Sequence, residues 1–358
     1  MTEREISVLR LFNQQVQSTK FQQPQELVGW MAAMQAQDYA MAKWAVGSRL
    51  PKASEQTLEQ ALDAGTILRT HLMRPTWHFV AAADIRWMQA LTGPIVKAAV
   101  AGRDKNLGLD ESIFRQSNAL LEKILSNGKH LTRQELMIRI EKEGIPMDNF
   151  RIAHVMMRAE LDAIVCNGIR KGKEHTYTLL EEKVPASKSL TKEEALATLV
   201  LRYFSSHGPA TLADFIWWSG IKTTDARRGL EAVESQLICE KVNGQDYWLS
   251  NNFSTPSTNE PTAFFLAAFD EFVISYRDRS ASLDTAWGKH AISSNGIFKP
   301  LIVLNGQVIG IWKRTHKKDS VQIEQQLFTS ISPKEQDILE QAAWKYANYE
   351  EKKLIFNP

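Results

Sequence analysis

The sequence predicts a mixed α+β chain, mainly α with β-hairpin wings. Three tandem winged-helix units come first, and a C-terminal β-rich, barrel-like domain follows. Three observations predict this. Between Met1 and Asn252 the order of three helices and then a β-ribbon occurs three times. Two of those units align with each other at a spacing of about 75 residues. After Asn252 the composition turns to Ser/Thr/Pro and then to strand-forming residues. The expected boundaries are 1–105, 106–186, 187–252 and 253–358.

In the first unit, Ile6, Leu9, Leu11 and Val16 recur at helical spacing. A second helix is expected from about Gln25 to Gln37, after Pro24. Ser54 is a plausible N-cap and Gly65 a stop for a short third helix. The stretch from Thr66 to Val80 is rich in Thr, Leu, Trp, Phe and Val, which suits two strands broken at Arg74-Pro75.

In the second unit a helix is expected over 111–127 and another after Thr132, where Glu135 completes a capping box. A third runs over 150–168, and a hairpin turns at Lys171–Lys173. The third unit repeats the scheme with TKEEALATLVLRYFSSHG, PATLADFIWWSG and TTDARRGLEAV, then a hairpin turning at Asn243-Gly244. SNGKHLTRQELMIRI aligns with SSHGPATLADFIWWS, and AIVCNGIRKGKEHTYTL with QLICEKVNGQDYWL. A helical solenoid also repeats, but its units do not end in charged hairpins. Beyond the STPSTNEPT linker come mostly antiparallel strands, with Asn305-Gly306 as another hairpin turn and a last helix from Pro333 to about Lys353.

The composition is that of an ordinary globular protein: 358 residues, 44% hydrophobic and 23% charged. A net charge of +2 announces no nucleic acid by itself. Cys166 and Cys239 make neither a disulfide framework nor a zinc site. Both sit in apolar runs and are expected to be buried thiols in a reducing cytosol. The N-terminus has no signal-peptide pattern, and no apolar run approaches the ~18 residues of a membrane span. Phosphate-binding loops, dinucleotide fingerprints and serine-nucleophile elbows are missing from the sequence.

Tandem winged helices usually bind nucleic acid, with a recognition helix in the major groove and hairpins on phosphates. The basic residues suit that: Arg151 and Arg158 on the second unit's third helix, Lys171 and Lys173 in its wing, and Arg227 and Arg228 on the third unit's third helix. Arg69 and Arg74 in the first wing are further candidates for phosphate. The first wing's His71 and His78 either meet a lesion or phosphate or are packed, hydrogen-bonded histidines; they form no metal site. Asp270 and Glu271 are candidates for acid/base work, or else, with Asp278, partners of Arg277 and Arg279 that fasten the C-terminal domain to the first unit. Trp44 and Trp77 either stack on a base or fill the core, and Trp217-Trp218 pack the third unit. Gln35 and Gln37 place two strong hydrogen-bonding amides one residue apart, with Asp38 behind them. They either leave a helix and face water, or hold a water for chemistry.

The segments MQAQD, LRTHLMRPTWHFV, AFDEFVISYRDRS and NGIFKPLIVLNGQVIGIWKR occur in that order and span nearly the whole chain. With them the chain resembles the winged-helix DNA glycosylases that unhook interstrand crosslinks and bulky alkylated purines, the azinomycin-resistance glycosylases among them. The resemblance implies a C-shaped protein and a catalytic Gln-x-Gln signature at Gln35 and Gln37. Its implied partner is double-stranded DNA carrying alkylated purines, with neither cofactor nor metal, on a monomer at the nucleoid of a bacterial cytoplasm. Where the family usually has glycine after the Met-Arg of the first wing, this chain has Pro75, which fixes φ and removes a donor.

For an N7-alkylated guanine the base already carries a positive charge and departs without protonation. The enzyme then has to place a water at the anomeric carbon and stabilise an oxocarbenium-like transition state, which two amides can do. Asp38 either stabilises cationic charge or merely ends a helix; with His71 and His78 it completes the supporting set. No lysine lies in the signature, so hydrolysis is expected rather than a Schiff base. A non-catalytic winged-helix DNA-binding protein, such as a transcription regulator, and a protein-interaction module stay open as rivals.

Overall fold

The computed structural model describes residues 1–186, 189–252 and 260–357. The expected linker over 254–262 lies mostly outside the described residues. No helix among the described residues is long and apolar enough to cross a membrane.

The chain opens with α1 (Glu3–Asn13), closed at its start by a reciprocal Thr2–Glu5 capping box, and α2 (Pro24–Trp30). The helix expected to run to Gln37 stops at Trp30, because Ala32 takes a left-handed φ of 61°. Strand β1 (Ala33–Gln35) follows, and Asp38 then caps α3 (Tyr39–Gly47). Helix α4 (Glu55–Asp63) starts at Ser54 and ends before Gly65 at φ 72°. The first hairpin is β2 (Ile67–His71) with β3 (Trp77–Ala81), and α5 (Ile85–Asn106) leads out of the unit. Strand β1 pairs antiparallel with β3, giving the order β1-β3-β2 with Gln35 opposite His78. Pro75 stands exposed in the loop between paired strands, so its missing N–H costs no ladder bond.

The second unit comprises α6 (Glu111–Leu125), β4 (Leu131–Thr132), α7 (Arg133–Lys142), α8 (Asn149–Leu161), β5 (Val165–Asn167), β6 (Thr176–Leu179) and α9 (Leu180–Lys183). Helix α8 stops short of the expected end for the same reason as α2: Ala163 adopts φ 59° and the chain turns into β5. The Thr132–Glu135 capping box is present. The third unit comprises α10 (Lys192–Ser206), α11 (Leu212–Ser219), α12 (Thr223–Val233), β7 (Leu237–Val242) and β8 (Gln245–Ser250). Asn243 and Gly244 turn its hairpin with φ of 49° and 78°.

The C-terminal region comprises β9 (Ala263–Leu266), α13 (Glu271–Ile274), α14 (Gly288–Ala291), β10 (Leu301–Leu304), β11 (Gln307–His316), β12 (Ser320–Leu327), α15 (Pro333–Tyr349) and β13 (Lys353–Asn357). Its sheet has the order β13-β12-β11-β10-β9, and β13 pairs parallel to β12. Phe265 and Phe356 on the two edge strands come within 6.1 Å, yet no ladder joins those edges. Helix α15 packs across the sheet through Leu339, Ala343 and Tyr346.

One hydrophobic core joins the two ends of the chain. Met34, Trp44, Val46 and Phe79 share it with Phe265, Trp312, Tyr346 and Tyr349. Trp44 is core and donates its Nε1–H to the Phe265 carbonyl at 2.8 Å. A second core brings Ala33, Leu68 and Met88 against Leu199, Tyr203 and Trp218. Of the two cysteines, Cys166 is buried, with its thiol pushed up to about 12 by burial. Cys239 corrects the expectation: it lies exposed on a hairpin that, among the described residues, has two strands only.

Candidate active site

The Gln35–Ala36–Gln37 segment is held by its backbone. The Gln35 N–H donates to Glu271 Oε1 at 2.6 Å, and the Ala36 N–H to the Trp77 carbonyl at 2.7 Å. The Ala36 carbonyl accepts from Arg69 Nε at 3.0 Å. Asp38 Oδ1 accepts the Met41 N–H at 3.1 Å, as the N-cap of α3. The glutamine side chains are left free of such bonds. Gln35 is buried, and its Oε1 has no hydrogen-bond partner among the described residues. Gln37 is exposed. A buried amide oxygen without a partner costs about 1–3 kcal/mol and calls for a donor from outside the chain, water or substrate. Residues two apart point apart on a helix but share a face on extended backbone. Extended backbone ends at Gln35; the chain bends at Gln37 and Asp38 before α3, which leaves the Gln35 amide inside and the Gln37 amide outside.

His78, opposite Gln35, is buried with Nδ1 3.0 Å from the Thr76 carbonyl. Burial, and then the nearby Arg74 charge, lower its pKa to about 3, so the imidazole is neutral at ordinary pH. His71 is also buried, with Nδ1 bonded to Glu160 and its ring 4.4 Å from Trp77. The Arg69 guanidinium lies 4.4 Å from the Trp77 ring centre. Trp77 is therefore contacted by His71 and Arg69 rather than standing alone.

Beside this segment opens a cleft of about 500 Å³ whose walls include Arg69, Trp77, Arg133, Lys173, His175 and Tyr177. A second hollow of about 240 Å³ adjoins it through Trp77, Arg133 and Tyr177, and carries His71 and His154. The second unit's hairpin thus faces Arg69 and Trp77, the two residues that hold Ala36; neither glutamine is among the residues lining either hollow. Tyr39 ties the two units together: its ring meets His175 at 4.6 Å and its hydroxyl donates to Glu59 Oε2 at 2.7 Å. Glu59 also accepts from Arg170 at 2.8 Å. Burial, then the positive charges of Arg69 and Arg170, lower the His175 pKa to about 4.

Behind the glutamines lies a buried carboxylate. Glu271 Oε2 accepts from Trp218 Nε1 at 3.1 Å and from the Ser275 hydroxyl, while Oε1 takes the Gln35 N–H. Burial would raise its pKa, but His207, Ser275 and the Gln35 N–H outweigh that and hold it near 2. Burial keeps the neighbouring His207 below the usual histidine value. Asp270 makes a two-pronged pair with Arg49 at 2.7 and 2.9 Å, and both side chains are fully enclosed. The C-terminal region is thus fastened to the first unit, through Arg49 and the Gln35 backbone. Arg277 and Arg279, the partners expected from the sequence, do not serve: Arg279 Nε donates to the Val273 carbonyl at 3.1 Å. Trp218 is buried, whereas Trp217 is 41% exposed and carries Arg74 and Arg279 near its ring, so only one of the pair packs inward.

The basic residues fall into four groups. Arg69 is committed to Ala36, and Arg151 to the carbonyls of Pro146 and Leu107 at 2.8 and 2.6 Å. Arg158 forks onto Glu111 at 2.8 and 2.6 Å, and Lys171 pairs with Glu135 at 2.8 Å. Lys173, Arg227 and Arg228 are exposed, with Arg228 only 3.7 Å from Glu193. Arg74 at the first turn takes φ 55° and has a buried Nε without a partner among the described residues. Sequence reasoning missed Arg133, His175 and the link from Glu271 to Gln35. That link spans 236 positions and leaves no local trace.

The family model described as DNA glycosylase AlkZ-like matches residues 28–349. The chain belongs to that family. It is an enzyme of the class that hydrolyses N-glycosyl bonds in DNA. The Interstrand DNA cross-link repair glycosylase of Streptomyces sahachiroi is 23% identical over 308 residues, covering 80% of this chain and 81% of the relative. The solved structure of Streptomyces sahachiroi DNA glycosylase AlkZ superposes with a TM-score of 0.82 at 18% identity, covering 100% of both chains. The α+β fold of the AlkZ-like family is therefore shared in full length.

Proposed function

We propose that this AlkZ-like glycosylase releases cationic N7-alkylated purines from duplex DNA, bulky adducts and interstrand crosslinks included, using a water held by Gln35 and Gln37. The observation that carries the reading is the contrast within the motif: a backbone tied down at Gln35 and Ala36, the latter by the cleft residues Arg69 and Trp77, and a buried amide oxygen on Gln35 left without a partner among the described residues. The crosslink part rests on the printed name of the Streptomyces relative.

In this mechanism the alkylated base leaves as a neutral molecule because alkylation has already supplied its positive charge. The Gln35 oxygen accepts a hydrogen bond from the water, and the exposed Gln37 amide reaches it from the solvent side. The water oxygen bonds to the anomeric carbon as the C–N bond breaks, that bond's electrons leave with the base, and the proton the water loses passes to bulk solvent. Positioning rather than proton transfer supplies the rate. The buried His78 stays neutral and supports β1 from across the ladder, as His71 supports Trp77. Lys43, the nearest lysine in sequence, is occupied by Glu55 and Glu59, which fits a hydrolytic reaction without a Schiff base.

We read the three helix–helix–helix–hairpin units as winged helices within the boundaries 1–105, 106–186 and 187–252. With the region 253–358 they form a C-shaped monomer that meets DNA at the bacterial nucleoid. Lys173 and Arg227, exposed, and Arg74, beside Trp217, offer cationic groups to phosphates, as does Arg228 on leaving Glu193. Arg158 and Lys171 join them only by exchanging a carboxylate, and Arg69 and Arg151 shape the frame.

The test is base excision from duplex DNA carrying N7-methylguanine or a nitrogen-mustard crosslink. Gln35→Ala and Gln37→Ala should each slow abasic-site formation by on the order of 100-fold, with DNA affinity retained. Equal rates in wild type and both variants would discard the assigned site, and binding without any excision would favour the non-catalytic reading.

A further inference from the structure

We infer that Glu271 is the positioning residue for Gln35: a carboxylate contributed by the C-terminal region that sets the catalytic strand in place without touching the DNA. The inference rests on the proposed role of Gln35 and deepens it.

The argument begins with the edge of a small sheet. In the order β1-β3-β2, strand β1 has one neighbour only. On such a strand the backbone N–H groups point alternately toward the neighbour and away from it. The Ala36 N–H points inward, to the Trp77 carbonyl at 2.7 Å. The Gln35 N–H therefore points to the open edge. Gln35 is only 8% exposed, so water does not supply the missing acceptor there. Glu271 supplies it, at 2.6 Å.

The carboxylate is itself held rigidly. Its other oxygen takes Trp218 Nε1 at 3.1 Å and the Ser275 hydroxyl, and His207 Nε2 lies 3.7 Å away. Asp270, the preceding residue, caps α13 by accepting the Phe272 N–H at 2.9 Å and is clamped by Arg49. Arg49 in turn donates to the Gln14 and Ala45 carbonyls at 2.9 and 2.8 Å. The three groups hydrogen-bonded to the Glu271 carboxylate, the Gln35 N–H, Trp218 Nε1 and the Ser275 hydroxyl, all donate to it. A glutamine there would offer one oxygen and one NH₂; the Ser275 hydroxyl can turn to accept, but the Gln35 N–H and Trp218 Nε1–H only donate, so one of those two is failed.

The experiment is a double-mutant cycle in single-turnover excision, read together with DNA affinity. Glu271→Gln should slow excision 10- to 100-fold at unchanged DNA affinity, as expected of a displacement of about 1 Å. In a Gln35→Ala background the same change should cost less than about 2-fold, because the group it positions is gone. An additive loss in that background, or a wild-type rate for Glu271→Gln, overturns the inference. If Gln35→Ala itself excises at the wild-type rate, it is the proposed function that falls. Should Glu271→Gln not fold, two further measurements stand in for it. Ser275→Ala, which loosens only the far oxygen, should slow excision a few-fold, again only while Gln35 is present. In the wild type the Gln35 amide should exchange with solvent as slowly as the core of the sheet; exchange at the rate of a free edge overturns the inference.

Discussion

The first and third hairpins have the same place in their units and opposite surroundings. The third turns on Asn243-Gly244, has two strands, and leaves Cys239, Lys241 and Asp246 to solvent. The first turns on Arg74-Pro75, gains β1 as a third strand, and keeps Arg69, His71 and His78 inside. The added strand makes the difference. By pairing with β3 it turns a surface ribbon into an interior sheet, and it carries Gln35 with it. Basic residues in the two hairpins then do different work: Arg69 fixes a carbonyl from inside, while Lys241 of the third hairpin stays exposed, 3.7 Å from Asp246.

The largest effect that would break this comparison is at the buried clamp. Asp270→Ala leaves Arg49 charged and enclosed, and should cost about 3–5 kcal/mol in urea unfolding. A loss below about 1 kcal/mol would mean that the clamp does not hold the first region to the C-terminal one. Next comes acid. His78, with a folded value of about 3, and His207, lowered by burial, resist a proton that the unfolded chain accepts near 6.5. Stability should therefore fall as pH drops below about 6.5, at roughly 1.4 kcal/mol per pH unit for each such histidine. Glu271 has the carboxylate sign: held near 2, it contributes above its unfolded value and loses that contribution as pH falls toward 2. Unfolding midpoints at pH 7.5 and pH 5 would show this, and His78→Asn should flatten the profile. Residues 237–250 hold no histidine and add nothing to it. The smallest effect belongs to the third unit. Arg228→Ala should change stability by less than about 0.5 kcal/mol, yet lower the salt slope of DNA binding by about 1 if the guanidinium contacts a phosphate.

What the sequence revealed were signals carried by adjacent residues. The Thr132–Glu135 box, the Ser54 cap and the Asn-Gly turns at 243 and 305 all stand where local chemistry demanded them. The misread helix ends share one cause. Ala32 and Ala163 bend into left-handed backbone, a conformation that alanine resists by about 1–2 kcal/mol and does not advertise. The surrounding packing imposes it. Strand β1 exists only because β3 lies beside it, more than forty residues later. The Gln-x-Gln pair was legible as a motif, but its geometry was not, since Glu271 and Trp77 reach it from far along the chain.

The core shared by the two ends of the chain has a bearing on biosynthesis. A ribosome that has emitted the first 260 residues has already made both glutamines, yet neither Glu271 nor the tyrosines of α15 that close over Trp44 have emerged. The strand that carries Gln35 therefore waits for the last part of the message before its edge is satisfied. A nascent or C-terminally clipped chain can hold the entire motif and still lack the frame that makes it a site.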